Sequence, residues 1–496
     1  MLISLHSCNV EVDTTSGETK AQTVEITLLQ LNDVYEMTAV SSGTRGGLAR
    51  VQTLLKSLKE ENPNTFSVLA GDLYSPSVIG NAEVNGKRLA GQQMVNVLNA
   101  MQWDFFTIGN HEFDIPEEDF RERLKESEFK NITDNVSDSV GKPFDNTMPA
   151  QIIDVEGVKM GILGITMDNF NQDFATITPP LEAARKAVKQ LQEQKADIII
   201  AMTHQSLEDD IALARQVPEI NLILGGHEHD NFKLLRNDEQ TPITKADANS
   251  KSAFVHYLTF NKDSGTLSQR SEIILIDETI EKDIEIERLA KAWEGKAYEY
   301  YTAAGYEPDQ VVCKVNVTLD GTEASVRSQS TNLTDLLTQG FIDAFPDQAK
   351  AGIMNGGSIR LDDKINPKNL SDCPVTQYEI MKISPFGGSV SLVEMRGDIL
   401  MEALNQGAKN TGKGSFLQYS GISQKDGQWL LQGAPIDNNT RYKIAISSYL
   451  VEKGDQGLKF LVYENSRGRV KKVEGAPKPE FNKVAISAFE RAFPGS

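Results

Sequence analysis

The chain is expected to fold as an α/β protein with at least two domains. Three observations predict this. Short apolar, β-prone runs alternate with segments of helical spacing. Nearly every run is cut off by glycine or a polar residue. The chain has 496 residues, more than one hydrophobic core usually sustains.

Taken in order, Val24–Leu31 alternates loosely and ends at Asn32–Asp33, which reads as a strand. After Gly46–Gly47, Leu48, Val51, Leu54, Leu55 and Leu58 recur at helical spacing. Phe66–Ala70 is a second strand, stopped by Gly71–Asp72, and Gln92–Leu98 reads as a helix. Phe105–Ile108 is stopped by Gly109–Asn110–His111. Val158–Ile165, Ile198–Met202 and Ile220–Leu224 repeat the strand pattern, with Leu181–Lys195 as a helix between them. Ile284, Ile286, Leu289, Ala290, Trp293 and Ala297 space helically amid charged residues and lead to Gly305 and Pro308, the pattern of a connecting helix. Beyond it, Val311–Val317, Val390–Met395 and Tyr442–Ile446 read as strands, and Leu333–Phe345 and Ile399–Leu404 as helices. The expected division is a first domain at 22–280, a linker helix or hinge at 281–306 and a second domain at 307–496.

Hydrophobic residues make up 39% of the chain and charged residues 24%, ordinary globular composition. The formal net charge of -20 repels polyanions, so no nucleic-acid polymer is expected as a partner. A small anionic substrate is compatible with it, because metals and arginines can make one pocket locally positive. Cys8, Cys313 and Cys373 suggest neither a disulfide framework nor a thiolate metal site, and a Cys313–Cys373 bridge has no positive support. The longest apolar runs are strand-sized, so no membrane partner is expected. Met1–Val10 lacks the basic and apolar regions of a leader. The expected location is cytoplasmic, or periplasmic or secreted if a leader was removed. Nothing in the sequence speaks to oligomeric state.

The polar residues at strand ends carry the chemistry. Asp33, Asp72, Asn110, His204 and His227 each follow an apolar run, and strand ends in α/β folds gather on one edge. Of six histidines, four lie in short motifs: Gly109–Asn110–His111–Glu112–Phe113–Asp114, Met202–Thr203–His204, and Gly225–Gly226–His227–Glu228–His229–Asp230. One such histidine in isolation is more often a packed or surface residue. Imidazoles clustered with carboxylates and an amide oxygen instead make a mixed N/O site for Zn, Mn or Fe. Asp33 and Asp72 supply carboxylates, one of which can bridge two cations. His227 and His229 are two apart and share a face if the segment is extended. His111 and Asp114 are three apart and face each other if the loop enters a helical turn, so Asp114 can orient His111.

These motifs, together with Leu31–Asn32–Asp33 and Gly71–Asp72, resemble the two-domain 5'-nucleotidases of the calcineurin-like metallophosphoesterase superfamily. The resemblance implies an N-terminal four-layer α/β/β/α sandwich and a C-terminal α/β nucleotide-specificity domain. It implies two divalent or mixed-valence metal ions (Mn, Zn or Fe). Asp72 bridges them, Asn110, His204 and His227 join it around one ion, and Asp33 and His229 around the other. His111 and Asp114 become the catalytic pair. One position departs from the pattern, which reads Asp-x-His where this chain has Asp33–Val34–Tyr35. Tyr35 then binds as a phenolate favouring a harder ion such as Fe(III), packs beside the site, or leaves one metal weakly held.

In the second domain, Asn355–Gly356–Gly357–Ser358–Ile359–Arg360 resembles the family's asparagine-glycine-glycine-arginine motif, and Phe386 stands where a base-stacking phenylalanine is usual. Tyr449 occupies the second stacking position, ahead of Gly454–Asp455, and Arg327 resembles a further substrate-binding arginine. The resulting substrate-binding set is Arg327, Asn355, Gly357, Arg360, Phe386, Tyr449 and Asp455. The implied reaction removes the 5'-phosphate of a nucleoside monophosphate by attack of a metal-bound hydroxide. A 2',3'-cyclic nucleotide phosphodiesterase with 3'-nucleotidase activity and a nucleotide-sugar hydrolase share the same centre. A nucleotide-binding protein with an impaired metal centre is the reading from another class.

Overall fold

Strand Thr23–Leu31 organises the first domain, because its alternating residues face two different cores. Val24, Ile26 and Leu28 point one way, and Leu29 and Leu31 the other. The computed structural model describes residues 22–169, 174–234, 241–367 and 373–494. The reading of the amino terminus, with His6 and Cys8, lies outside them.

Thr23–Leu31 is an interior strand of a seven-stranded sheet. The order is Thr266–Leu275, Ser252–Asn261, Thr23–Leu31, Thr65–Ala70, Phe105–Thr107, Lys130–Ile132 and Thr147–Met148. A six-stranded sheet runs Phe232–Leu234, Ile243–Lys245, Leu222–Gly225, Ile198–His204, Val158–Thr166 and Gln151–Val155. The two sheets pack through Val24, Ile26, Leu28, Val68 and Phe105 against Met160, Ile162, Ile200, Met202 and Leu224. Helices Leu48–Glu61 and Gln92–Ala100 cover the outer face of the first sheet. Pro180–Glu193 and Leu207–Gln216 cover that of the second. These are the four layers that the resemblance implies.

A buried polar contact fixes how the sheets register. Gln30 Nε2 donates to Gly225 O at 3.0 Å and Thr244 O at 2.9 Å. Its Oε1 contacts His256 Nε2 at 3.0 Å. His256, a histidine outside those motifs, is therefore a packing residue. The hairpin Ser252–Asn261 with Thr266–Leu275 escapes a reading by apolar runs, because its outer strand is mostly exposed and its first seven residues are polar except Leu267.

The expected connecting helix is Ile284–Ala303. It lies on the first domain: Trp293 Nε1 donates to Asn96 Oδ1 at 2.9 Å and Tyr301 Oη to Val78 O at 2.7 Å. In the second domain a five-stranded sheet runs Leu417–Ser420, Ala351–Asn355, Arg441–Ser447, Val390–Arg396 and Val470–Lys472. Helices Asn332–Asp343 and Phe481–Ala492 cover one face, and Gly397–Lys409 the other. Val311–Val315 pairs with Cys373–Thr376, and the thiols of Cys313 and Cys373 are not joined. Among the described residues no helix is long and apolar enough to cross a membrane.

Asp283 caps the connecting helix by accepting from the amides of Glu285 and Ile286, both at 3.1 Å. Asp283→Ala is expected to lower stability by about 1 kcal/mol, measured by urea denaturation.

A candidate metal centre at the strand ends

Strands Thr23–Leu31, Thr65–Ala70 and Phe105–Thr107 are mutually parallel, as are Val158–Thr166, Ile198–His204 and Leu222–Gly225. Their carboxyl ends meet on one edge, where the predicted ligands lie. His204 is the last residue of its strand rather than the first of a loop. Asp33, Asp72 and His227 all have positive φ, at 53°, 60° and 83°. Side chains avoid that region, so the surroundings must impose it. They do so by hydrogen bonds: Asp33 N to Gly71 O at 3.0 Å, Asp72 N to Glu112 Oε2 at 3.0 Å, and His227 N to Asp33 Oδ2 at 2.9 Å. Gly109 is required by close approach, since a Cβ there would lie 2.2 Å from Asp72 Oδ1.

The side chains form two groups of four donors that share one atom. Tyr35 Oη lies 3.1 Å from Asp33 Oδ1, 3.0 Å from Asp72 Oδ2 and 3.0 Å from His229 Nε2. Asp33 Oδ1 and His229 Nε2 are 3.4 Å apart. On the other side, His204 Nε2 is 3.2 Å from the same Asp72 Oδ2 and 3.2 Å from Asn110 Oδ1, and His227 Nδ1 is 3.2 Å from Asn110 Oδ1. The bend at His227 sends it and His229 to different groups instead of onto a common face. Four donors about 2.0–2.1 Å from a tetrahedral ion lie about 3.3 Å from one another, and the contacts of Tyr35 Oη with its three neighbours and of His204 Nε2 with Asp72 and Asn110 have that spacing.

The electrostatics fit a cation as well. Burial disfavours charge on Asp72, yet His204 and His111 hold its carboxyl well below the usual range. Burial likewise opposes charge on His204, but Asp72 and Asp33 push it up to about 9. His227 is pushed down to about 3 by burial and by His204. Burial, Asp72 and Asp33 drive the Tyr35 phenol well above its usual range. One phenol proton cannot serve both carboxylate oxygens that Tyr35 Oη touches. A cation shared with Asp33 and Asp72 satisfies all three oxygens at once. Asp33, Asp72 and His204 are by themselves close enough to hold one ion.

The second domain completes the surroundings. His111–Asp114 is a short 3-10 turn in which Asp114 Oδ2 meets His111 Nδ1 at 2.5 Å. Both residues line a cavity of about 560 Å³ shared with Asn355, Gly357, Arg360, Phe386, Tyr449 and Asp455. Phe386 and Tyr449 are 43% and 47% exposed, so neither is a core residue. The Arg360 guanidinium sits 5.3 Å from the Phe386 ring centre. Asn355 Nδ2 donates to Asp455 Oδ2 at 2.9 Å, and Gly357 N to Gly414 O at 2.7 Å. Arg327 faces the adjoining side, close enough to Arg360, Tyr35 and Asp455 for their charges to act on one another. It lines a neighbouring cavity of about 570 Å³ and pairs with Glu323 Oε1 at 2.7 Å.

A family model for calcineurin-like phosphoesterases matches residues 26–231, and one for the 5'-nucleotidase C-terminal domain matches 311–463. The chain belongs to the two-domain 5'-nucleotidase family of calcineurin-like metallophosphoesterases. It is thus a hydrolase of phosphate esters that works with divalent metal ions. The human 5'-nucleotidase is 25% identical over 87% of this chain and 83% of its own length. The trifunctional nucleotide phosphoesterase protein of Bacillus subtilis is 26% identical over 82% of this chain, which spans only 31% of that longer protein. The 5'-nucleotidase precursor of Thermus thermophilus has the same fold, with a TM-score of 0.78 at 21% identity over 95% of this chain and 97% of that one.

Two structural supports of the metallophosphoesterase centre were not recognised in the sequence. Glu112 is buried and accepts from the amides of Asp72, Leu73, Tyr74 and Gly109, tying the Asp72 loop to the His111 loop. Its position inside the Gly109–Asp114 motif was the available signal. Lys245 is fully buried, donates to Gln205 O and Gly226 O, and pairs with Asp210 at 2.9 Å and with Glu228. It pins the His227–His229 loop from behind, and no local pattern announces it.

Lys245→Met leaves Asp210 buried without its cation and should destabilise the fold by about 3–5 kcal/mol in urea denaturation. Gly109→Ala should abolish metal uptake, measured by elemental analysis, at a stability cost of about 1–3 kcal/mol.

Proposed function

We propose that the chain removes the 5'-phosphate from nucleoside monophosphates. The observation that carries this reading is the shared cavity: His111 and Asp114 from one domain face Arg360, Phe386 and Tyr449 from the other. Phe386 and Tyr449 offer two ring faces to a base, a contact worth about 1–3 kcal/mol each in other stacking sites. Asp455, oriented by Asn355, accepts from a ribose hydroxyl. Arg360 holds phosphate oxygens through its planar fork. Arg327 is assigned a supporting part in substrate binding from the adjoining cavity.

Two metal ions would be held by Asp33, Tyr35, Asp72 and His229, and by Asp72, Asn110, His204 and His227. When bound, they neutralise phosphoryl charge and activate the attacking water. Tyr35 in place of a histidine makes the first group a harder donor set, which favours an ion such as Fe(III) over Zn. His111 Nε2 is 4.0 Å from Asp72 Oδ2, at the mouth of the centre. With Nδ1 held by Asp114, it presents Nε2 to the departing ribose oxygen and stabilises or protonates it.

A broader substrate range is the second reading, favoured by the similarity to a trifunctional nucleotide phosphoesterase. It covers 2',3'-cyclic nucleotides and nucleotide sugars. Phosphate release from AMP and other nucleoside monophosphates, beside cyclic nucleotides and nucleotide sugars, is measured with Mn, Zn, Co, Mg or Fe. Fastest release from 5'-monophosphates supports the proposal, and fastest turnover of a cyclic nucleotide or a nucleotide sugar supports the second reading. Nucleotide binding without turnover under any metal overturns both and leaves a binding protein. His111→Ala should lower kcat about 10²–10⁴-fold. Phe386→Ala should raise KM roughly 10-fold with a smaller effect on kcat.

A further inference from the structure

An imidazole that binds a metal through one nitrogen needs a partner on the other, which orients the ring and raises its basicity. His204 finds this partner within its own domain: Nδ1 lies 2.8 Å from Ala70 O. His229 does not. Its Nε2 faces Asp33 and Tyr35, while its Nδ1 is buried without an aligned hydrogen bond, with Glu323 Oε2 at 3.2 Å and Asp362 Oδ2 at 3.6 Å as the charges nearest to it. Both carboxylates belong to the second domain. They are held in place: Glu323 Oε1 pairs with Arg327 at 2.7 Å, and Glu323 N donates to Asp362 Oδ1 at 2.9 Å. Lys251 of the first domain closes the group by donating to Asp362 O at 3.1 Å.

We propose that Glu323, backed by Asp362, is the outer partner of His229, so that the second domain sets how tightly the first domain holds one of its two metal ions. This rests on the two-metal reading above. The asymmetry is its distinctive consequence. In the group containing Asn110, His204 and His227, His204 is braced from within the first domain, and this group keeps its ion wherever the second domain stands. The group containing Asp33, Tyr35 and His229 holds its ion tightly only while Glu323 is docked. Glu323 is thus a positioning residue, and it makes metal retention report on domain arrangement.

The test uses the full chain and its Glu323→Gln, Glu323→Asp and Asp362→Asn variants, loaded with Mn²⁺ or Zn²⁺ by equilibrium dialysis and read by elemental analysis. The wild-type chain is expected to take up two ions. Glu323→Gln should weaken one of them by about 10–100-fold and leave the other within about twofold. Glu323→Asp should recover most of that loss. Asp362→Asn should produce a smaller loss of the same ion. Melting of the metal-free variants should match that of the wild-type chain. Two ions held with wild-type affinity by Glu323→Gln, or equal weakening of both, overturns the proposal while the two-metal reading stands. A wild-type chain that takes up no ion overturns the metal reading and this proposal together.

Discussion

A single buried oxygen, Asp72 Oδ2, organises this molecule. Tyr35 and His204 approach it from opposite sides, at 3.0 and 3.2 Å. Both Asp72 and Asp33 are almost completely buried, and two carboxylates so placed repel each other in a medium of low polarity. The surrounding fold answers that repulsion with imidazoles and with donors that suit a cation. It is also the reason the backbone is strained there: Asp33, Asp72 and His227 adopt positive φ under a net of hydrogen bonds.

Holding such a cluster requires rigid supports on both sheets. Glu112 ties two loops of the first sheet together through four backbone donors. Lys245 does the same for the second sheet, drawing the Gly226–Glu228 turn onto Asp210. Gln30 then locks one sheet to the other just beneath the site. Each is a polar group buried in an apolar interior, and each is stable there because its partners are complete. The donor spacing follows from this scaffold.

The second domain contributes in two ways that differ physically. Phe386 and Tyr449 leave their rings exposed toward a cavity at the domain boundary, where apolar faces await a planar partner. Glu323 and Asp362 instead bring negative charge to the back of His229. Under the proposals made above, the first acts on whatever enters the cavity and the second on the metal centre, so that recognition and metal retention meet at one interface.

Most of the strands around the site are legible as apolar runs, because a strand packed on both faces reads as continuous hydrophobics. The donors are legible too, because histidine is scarce here and falls at the ends of those runs. The long outer hairpin is not legible, since a mostly exposed strand such as Thr266–Leu275 shows no apolar alternation of its own. Nor is Lys245, whose partners lie far from it in sequence. The sequence by itself determined the α/β layers, the donor types and their positions at strand ends, since these follow from local periodicity and side-chain chemistry. Only the tertiary structure decided that Tyr35 Oη joins Asp33, Asp72 and His229, that His227 and His229 part company, and that Glu323 reaches His229. Those outcomes depend on backbone bends and on distances between residues far apart in the chain, which no local pattern encodes.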